Sequence, residues 1–193
     1  MEIENKKTIA HLLYIPFTGL GLFGGMRGDA WLKNRIKIFK NFVLPSLTNQ
    51  TNLHFTLIFS WRPEERNNPI VQGFYEFMGK IDRMTPVFTY GGLCFYDDKY
   101  PDAVAKERLL TNLKRTLPEL KQHVDHADYV LMSIQPSDDM YCSYVVNDIQ
   151  NTFVANRAVG YKEGYIMNYA TKEVATYNPD TNPPFYTIMF PKD

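Results

Sequence analysis

The sequence predicts an α/β fold: a three-layer α/β/α domain with a mixed, mostly parallel sheet and a C-terminal β-hairpin. Two observations carry this expectation. Apolar strand-like runs alternate with segments of helical period from Thr8 to about Phe153, the order that builds a parallel sheet covered by helices. After that the helical period disappears, and short β-rich runs separated by turn residues take its place.

Taken in order, Thr8 to Ile15 is a buried strand. A loop with five glycines (Gly19, Gly21, Gly24, Gly25 and Gly28) leads to Asp29, a plausible N-cap. Leu32, Ile36, Phe39 and Val43 then form the stripe of a half-buried helix, which Pro45 is expected to end. His54 to Phe59 is a second strand. Asn68-Pro69 pairs an N-cap with an N1 proline and opens a helix whose apolar face is Ile70, Phe74, Phe77 and Ile81. Val87 to Tyr90 is a short third strand, and Asp102 to about Val124 is helical with a break near Pro118. The apolar segment that starts at Tyr129 and ends at Asp138-Asp139 is a fourth strand. Tyr141, Val145, Ile149 and Phe153 recur at i+4 and predict a helix from Tyr141. Gly164–Tyr169 and Glu173–Tyr177 flank Ala170-Thr171-Lys172 as a hairpin, and Asn182 to Phe190 supplies another strand.

The chain has 193 residues, enough for one domain with its own core. Lys+Arg and Asp+Glu both number 21, which argues against nucleic acid or an anionic membrane as partner. Two cysteines, Cys94 and Cys142, fit neither a metal site nor a disulfide framework, and a cytoplasmic location is expected. No apolar run reaches the ~20 residues of a membrane span, so no transmembrane segment is expected.

The chemistry-bearing feature is Ser137-Asp138-Asp139, two adjacent carboxylates where an apolar strand ends. Ligands of open α/β sheets bind at the C-terminal ends of strands. Acids held together there call for a cation, and oxygen ligands suit Mg²⁺ or Mn²⁺ carrying a phosphorylated ligand. The alternative is that Ser137 or Asp138 caps the helix expected from Tyr141. Gly19-Leu-Gly21-Leu-Phe-Gly24 matches G-x-G-x-x-G, but two further glycines precede the helix and no acid ends the second strand. A mobile nucleotide-facing or surface loop fits it better than a dinucleotide site. Arg27, Arg35 and Arg62 lie near the expected loop mouths. Trp61 reads as core or rim, and His11 as a packing histidine within a strand.

Several stretches resemble one family. Trp31-Leu-x-x-Arg35-x-x-x-Phe39, followed by Phe42-x-Leu-Pro45-Ser46-Leu-x-x-Gln50-Thr51 and Phe55, is similar to the opening of the rhamnosyltransferase-like family of GT-A-fold glycosyltransferases. Ala127 to Met140 resembles the strand and acidic motif of that fold. Gly164-Tyr165 and Asn182-Pro-Pro-Phe185 resemble its later segments.

The resemblance implies a single GT-A-like domain over 1–193. Residues 1–140 would form the nucleotide-binding half and 141–193 the acceptor-side half. It implies transfer of a sugar from a nucleoside-diphosphate sugar to a glycan hydroxyl, assisted by Mn²⁺ or Mg²⁺. Asp139 would be the principal metal ligand with Asp138 as co-ligand. Phe17 or the loop after it would pack on the base, Arg27 or Arg62 would neutralise phosphate, and Ser137 and Asp138 would contact the nucleotide sugar. No catalytic base is singled out. Two departures stand out. Pro136 occupies a position where the family carries an acid, and its side chain offers no oxygen to a hydroxyl or metal-bound water. The acceptor-side tail expected of the family would continue past Asp193, as in a shortened or degenerate member. The alternative function is a catalytically inactive nucleotide-sugar-binding or scaffold protein.

Overall fold

A computed structural model describes residues 8–18, 28–90, 107, 111, 114, 116, 118–154, 157–178 and 186–191. Six strands make one sheet in the order β3-β2-β1-β4-β8-β5. Strands β1 (Ile9–Pro16), β2 (Thr56–Ser60), β3 (Pro86–Thr89) and β4 (Tyr129–Ile134) are mutually parallel, with β1 between β2 and β4. Strand β8 (Tyr186–Pro191) runs antiparallel to β4, and β5 (Ala158–Gly160) antiparallel to β8. A separate hairpin pairs β6 (Gly164–Met167) with β7 (Val174–Tyr177). The mixed, mostly parallel sheet and the C-terminal hairpin are those expected from the sequence. The boundary at 140 does not divide the sheet, because β8 and β5 join the same sheet as β1.

Strand β1 is buried on both faces, and its alternation sorts two cores. Leu13 and Ile15 face one cluster with Leu32, Ile36 and Phe39 of the first helical segment, Phe74, and Val145 and Ile149. Leu12 and Tyr14 face a second cluster with Ile58, Val130 and Leu120. Helices therefore cover both faces, the three-layer arrangement. The first face carries α1 (Asp29–Ile38), α2 (Leu44–Thr48), α3 (Pro69–Met78) and α5 (Val145–Thr152). The second carries α4, described over residues 118–124.

Local chemistry explains most boundaries. Asn68 caps α3 by accepting from the Ile70 amide at 2.8 Å, with Pro69 inside the first turn. The buried face of α3 is Val71, Phe74 and Met78, rotated from the expected one; Ile70, Phe77 and Ile81 are only partly buried. Gly28, not Asp29, is the N-cap of α1. Pro45 does not end the helical run. A π-helical segment, Phe39–Val43, joins α1 to α2, and Pro45 sits in the first turn of α2. The widened turn absorbs the missing proline N–H, since the Leu44 amide bonds back five residues to the Phe39 carbonyl. The stripe survives this: Leu32, Ile36, Phe39 and Val43 are all buried. Helix α5 begins at Val145, not Tyr141. Among the described residues no helix is long and apolar enough to cross a membrane.

One polar chain crosses the first core. His11 shares 2.8 Å with the Ser133 hydroxyl, which in turn bonds Thr187 of β8. The Gln150 amide nitrogen donates to His11 Nδ1 at 3.1 Å and to the His54 carbonyl, while its oxygen accepts from Asn52. This assigns the imidazole proton to Nε2, donating to Ser133. His11 is thus a packing histidine, and burial holds it neutral with a pKa pushed down to about 4. Its contribution has a definite sign. The unfolded chain protonates this histidine near its ordinary 6.5 and the folded protein only near 4, so in between the unfolded state binds the extra proton. The stability is fully present above pH 6.5 and is lost as pH falls from there toward 4. Urea denaturation between those values should show wild-type stability rising relative to His11→Gln by up to about 1.4 kcal/mol per pH unit. Parallel pH curves for the two proteins would contradict this.

Candidate functional site

Because β1 is flanked by β2 on one side and β4 on the other, the order of the parallel strands reverses at β1. At such a reversal, open α/β sheets form their ligand crevice, which places it here at the C-terminal ends of β1 and β4. The acid pair lies there. The Gln135 amide extends the ladder by donating to the Tyr14 carbonyl at 2.8 Å. A turn then follows in which the Pro136 carbonyl accepts from the Asp139 amide and from the Gln135 side chain. Gln135 also donates to the Asp139 carbonyl, so one fully buried side chain staples the whole acidic turn.

The capping alternative does not hold. Helix α5 has Tyr144 as its N-cap with no side-chain cap bond, so neither Ser137 nor Asp138 caps it. The polar work at that end is done from a distance. The Gln50 oxygen accepts from the Val146 amide at 3.1 Å, and its nitrogen donates to the Cys142 and Ser46 carbonyls at 2.8 Å each. Ser46 accepts from the Tyr141 amide, and the Thr51 amide donates to the Ser143 carbonyl at 2.7 Å. The Pro45-Ser46-x-x-x-Gln50 segment is therefore a clamp on the stretch just after the acids.

The two carboxylates are in unequal states. Asp138, largely exposed, forms an ion pair with Arg35 of α1. The Arg35 guanidinium also lies over the Trp31 ring, 5.2 Å from its centroid. Trp31 and Arg35 are i and i+4 on one helix, the spacing at which side chains meet. Asp139 is more enclosed. Burial first and the Asp138 charge second push its pKa up to about 6, against the pull of Arg35. It is an undercompensated acid in a crevice, the kind of perturbation that accompanies functional sites. Two oxygen-donor side chains with spare negative charge fit a hard divalent ion that takes its other ligands from phosphate and water. Among the described residues no group of three or more His, Cys, Asp or Glu is placed to hold a metal.

The other expected contacts fall differently. Phe17 does not offer its ring to a base. It is 5% exposed and stacks on Trp61 at 4.5 Å, with Phe39, Phe59 and Phe74 around it, so packing occupies it. The spacing of Phe17 after a buried strand could not show this, because the aromatic cluster is assembled from four elements. Arg27 lies outside the described residues, as does most of the glycine loop. Arg62 is buried at the end of β2, its Nε donating to the Thr18 carbonyl at 3.3 Å. Thr18 donates its hydroxyl to Glu65, and Glu65 accepts from the Arg62 amide. This cluster ties the ends of β1 and β2 together beneath the crevice. Ser137 is buried within the acidic turn.

Two outcomes test the site's construction. Gln50→Ala should cost about 2–3 kcal/mol in urea, since it strands the Val146 amide and two carbonyls; a loss below 1 kcal/mol would remove the clamp from consideration. In metal-free buffer near neutral pH, Asp139→Asn should raise stability by about 1 kcal/mol, the shift being discounted for partial exposure. Functional sites commonly keep such unfavourable charges. A clear destabilisation would mean that Asp139 is a structural acid.

Comparison with known proteins bears on this geometry. Residues 26–89 match the family model described as "Putative rhamnosyl transferase". The matched span carries Trp31, Arg35, Ser46, Gln50 and Arg62, while the acidic turn lies C-terminal to it. No curated protein matches the chain. The match, confined to residues 26–89, makes this part of the chain similar to a rhamnosyltransferase-like family and supports a glycosyltransferase-like function.

Proposed function

We propose that this protein is a GT-A-like glycosyltransferase that moves a sugar from a nucleoside-diphosphate sugar to a glycan hydroxyl with the help of Mg²⁺ or Mn²⁺. The observation that carries this is the undercompensated acid pair at the strand-order reversal, beside a segment matching a rhamnosyl transferase family. Asp139 would hold the cation, with the donor's phosphates and water completing its shell. When bound, the metal supplies Lewis-acid stabilisation of charge on the leaving diphosphate.

The chain's own residues do the rest. Gln135 holds the acidic turn in one shape, and Gln50 and Ser46 hold the segment after it. The Thr18–Glu65–Arg62 cluster fixes Thr18, just past the end of β1. Arg27 or Arg62 would oppose phosphate charge, Ser137 and Asp138 would line the sugar side, and the loop after Phe17 would meet the base. A second reading is a glycosyltransferase-like binder without turnover. Two features favour it: Pro136 removes an acid from the motif, and Asp138 is already paired with Arg35.

Thermal shifts with UDP, GDP, dTDP and NAD, each with Mn²⁺ and with chelator, test both. Metal-dependent stabilisation by one nucleoside diphosphate is expected, lost in Asp139→Ala. At a ligand concentration a hundred times Kd the gain would be about 2.7 kcal/mol. Stabilisation by NAD alone, independent of metal, would overturn both readings. Release of free diphosphate from a donor sugar then separates the enzyme from the binder.

A further inference from the structure

Resting on the proposed metal–diphosphate site, we infer that Arg35 is a positioning residue that competes with the divalent cation for the acid pair. By holding Asp138 in an ion pair it leaves Asp139 as the one carboxylate for the metal. The cation is then held firmly only together with the diphosphate.

The charge balance leads there. Two adjacent carboxylates alone would present a dication with two negative charges. The guanidinium of Arg35 on Asp138 reduces that to a net single charge. It is not a casual surface contact. The Arg66–Glu119 pair is a loose 4.0 Å contact, whereas the Arg35 guanidinium is held from two sides, by Asp138 and by the Trp31 ring over which it lies. Planar, stacked guanidinium groups are pre-organised and lose little freedom on pairing with a carboxylate. No third acid, histidine or cysteine among the described residues stands by to complete a protein-only metal site. One carboxylate plus water is a weak seat for Mg²⁺ or Mn²⁺, which bind well when substrate phosphates share the coordination. A fixed positive charge on the neighbouring carboxylate lowers the free-metal affinity further, since like charges close together near a protein surface oppose each other. An arriving diphosphate reverses both effects, because it adds oxygen ligands and gives the guanidinium a second anion to face.

The test is a titration with Mn²⁺ alone, free Mn²⁺ being read by its paramagnetic resonance signal, with circular dichroism to confirm folding. Arg35→Gln should bind Mn²⁺ about tenfold or more tightly than wild type. Arg35→Lys, which keeps the charge, should stay within about threefold of wild type. Arg35→Met keeps packing along α1 and serves as a second neutral variant should Gln perturb folding. Adding Asp138→Asn to Arg35→Gln should remove the gain, and Asp139→Asn should weaken binding in every background. Unchanged or weaker Mn²⁺ binding in folded Arg35→Gln and Arg35→Met would overturn the role of Arg35 while leaving the metal site standing. Failure of every variant, wild type included, to hold Mn²⁺ even with UDP or GDP present would instead overturn the site itself.

Discussion

The parallel pairing of β1 with both β2 and β4 is the constraint on which the rest of the structure depends. It buries β1 on both faces, so β1 reads as a continuous apolar run and splits the core in two. It also places the C-terminal ends of β1 and β4 side by side at a reversal of strand order, where open α/β sheets form their ligand crevice. The acidic turn, the end of β2 with Arg62, and α1 with Arg35 all meet there because they follow these strands.

What fills the crevice is costly by design. Asp139 is enclosed beside another acid, and Glu65 is buried with its carboxyl pushed up by desolvation. The protein offsets these costs locally: Arg35 answers Asp138, Thr18 and the Arg62 amide answer Glu65, and Gln135 and Gln50 satisfy the backbone around the acids. The compensation is incomplete: Asp139 keeps a raised pKa, and Glu65 Oε1 and Gln135 Oε1 are buried without a hydrogen-bond partner.

Much of the fold was legible because it rests on short-range chemistry. Asn68-Pro69 is a cap whatever surrounds it, and the Leu32–Val43 stripe marks a buried face whether the turn beneath it is α or π. The hairpin at 164–177 follows from its two β-rich runs and the turn between them. The misreadings share another origin. Pro45 was expected to end a helix, yet a π turn held by core packing carries the chain through it. Tyr141 matches the helical period of Val145 and Ile149, but the Ser46 and Gln50 clamp engages the preceding segment, which passes through a turn before the helix begins at Val145. The three-residue β5 is too short and too exposed to carry a pattern, and it exists because β8 offers it an edge. At the site, the acid pair and Arg35 could be singled out, but not their union.

By itself, then, the sequence determined the α/β class, the order of most elements and the place of two carboxylates at a strand end, because periodicity, capping and turn chemistry act over a few residues. Only the tertiary structure decided that Phe17 is core, that Gln50 serves the segment after the acids, and that Asp138 is held by Arg35. Those facts depend on which elements the sheet order brings together from distant parts of the chain, and local pattern does not encode the pairing of such distant groups.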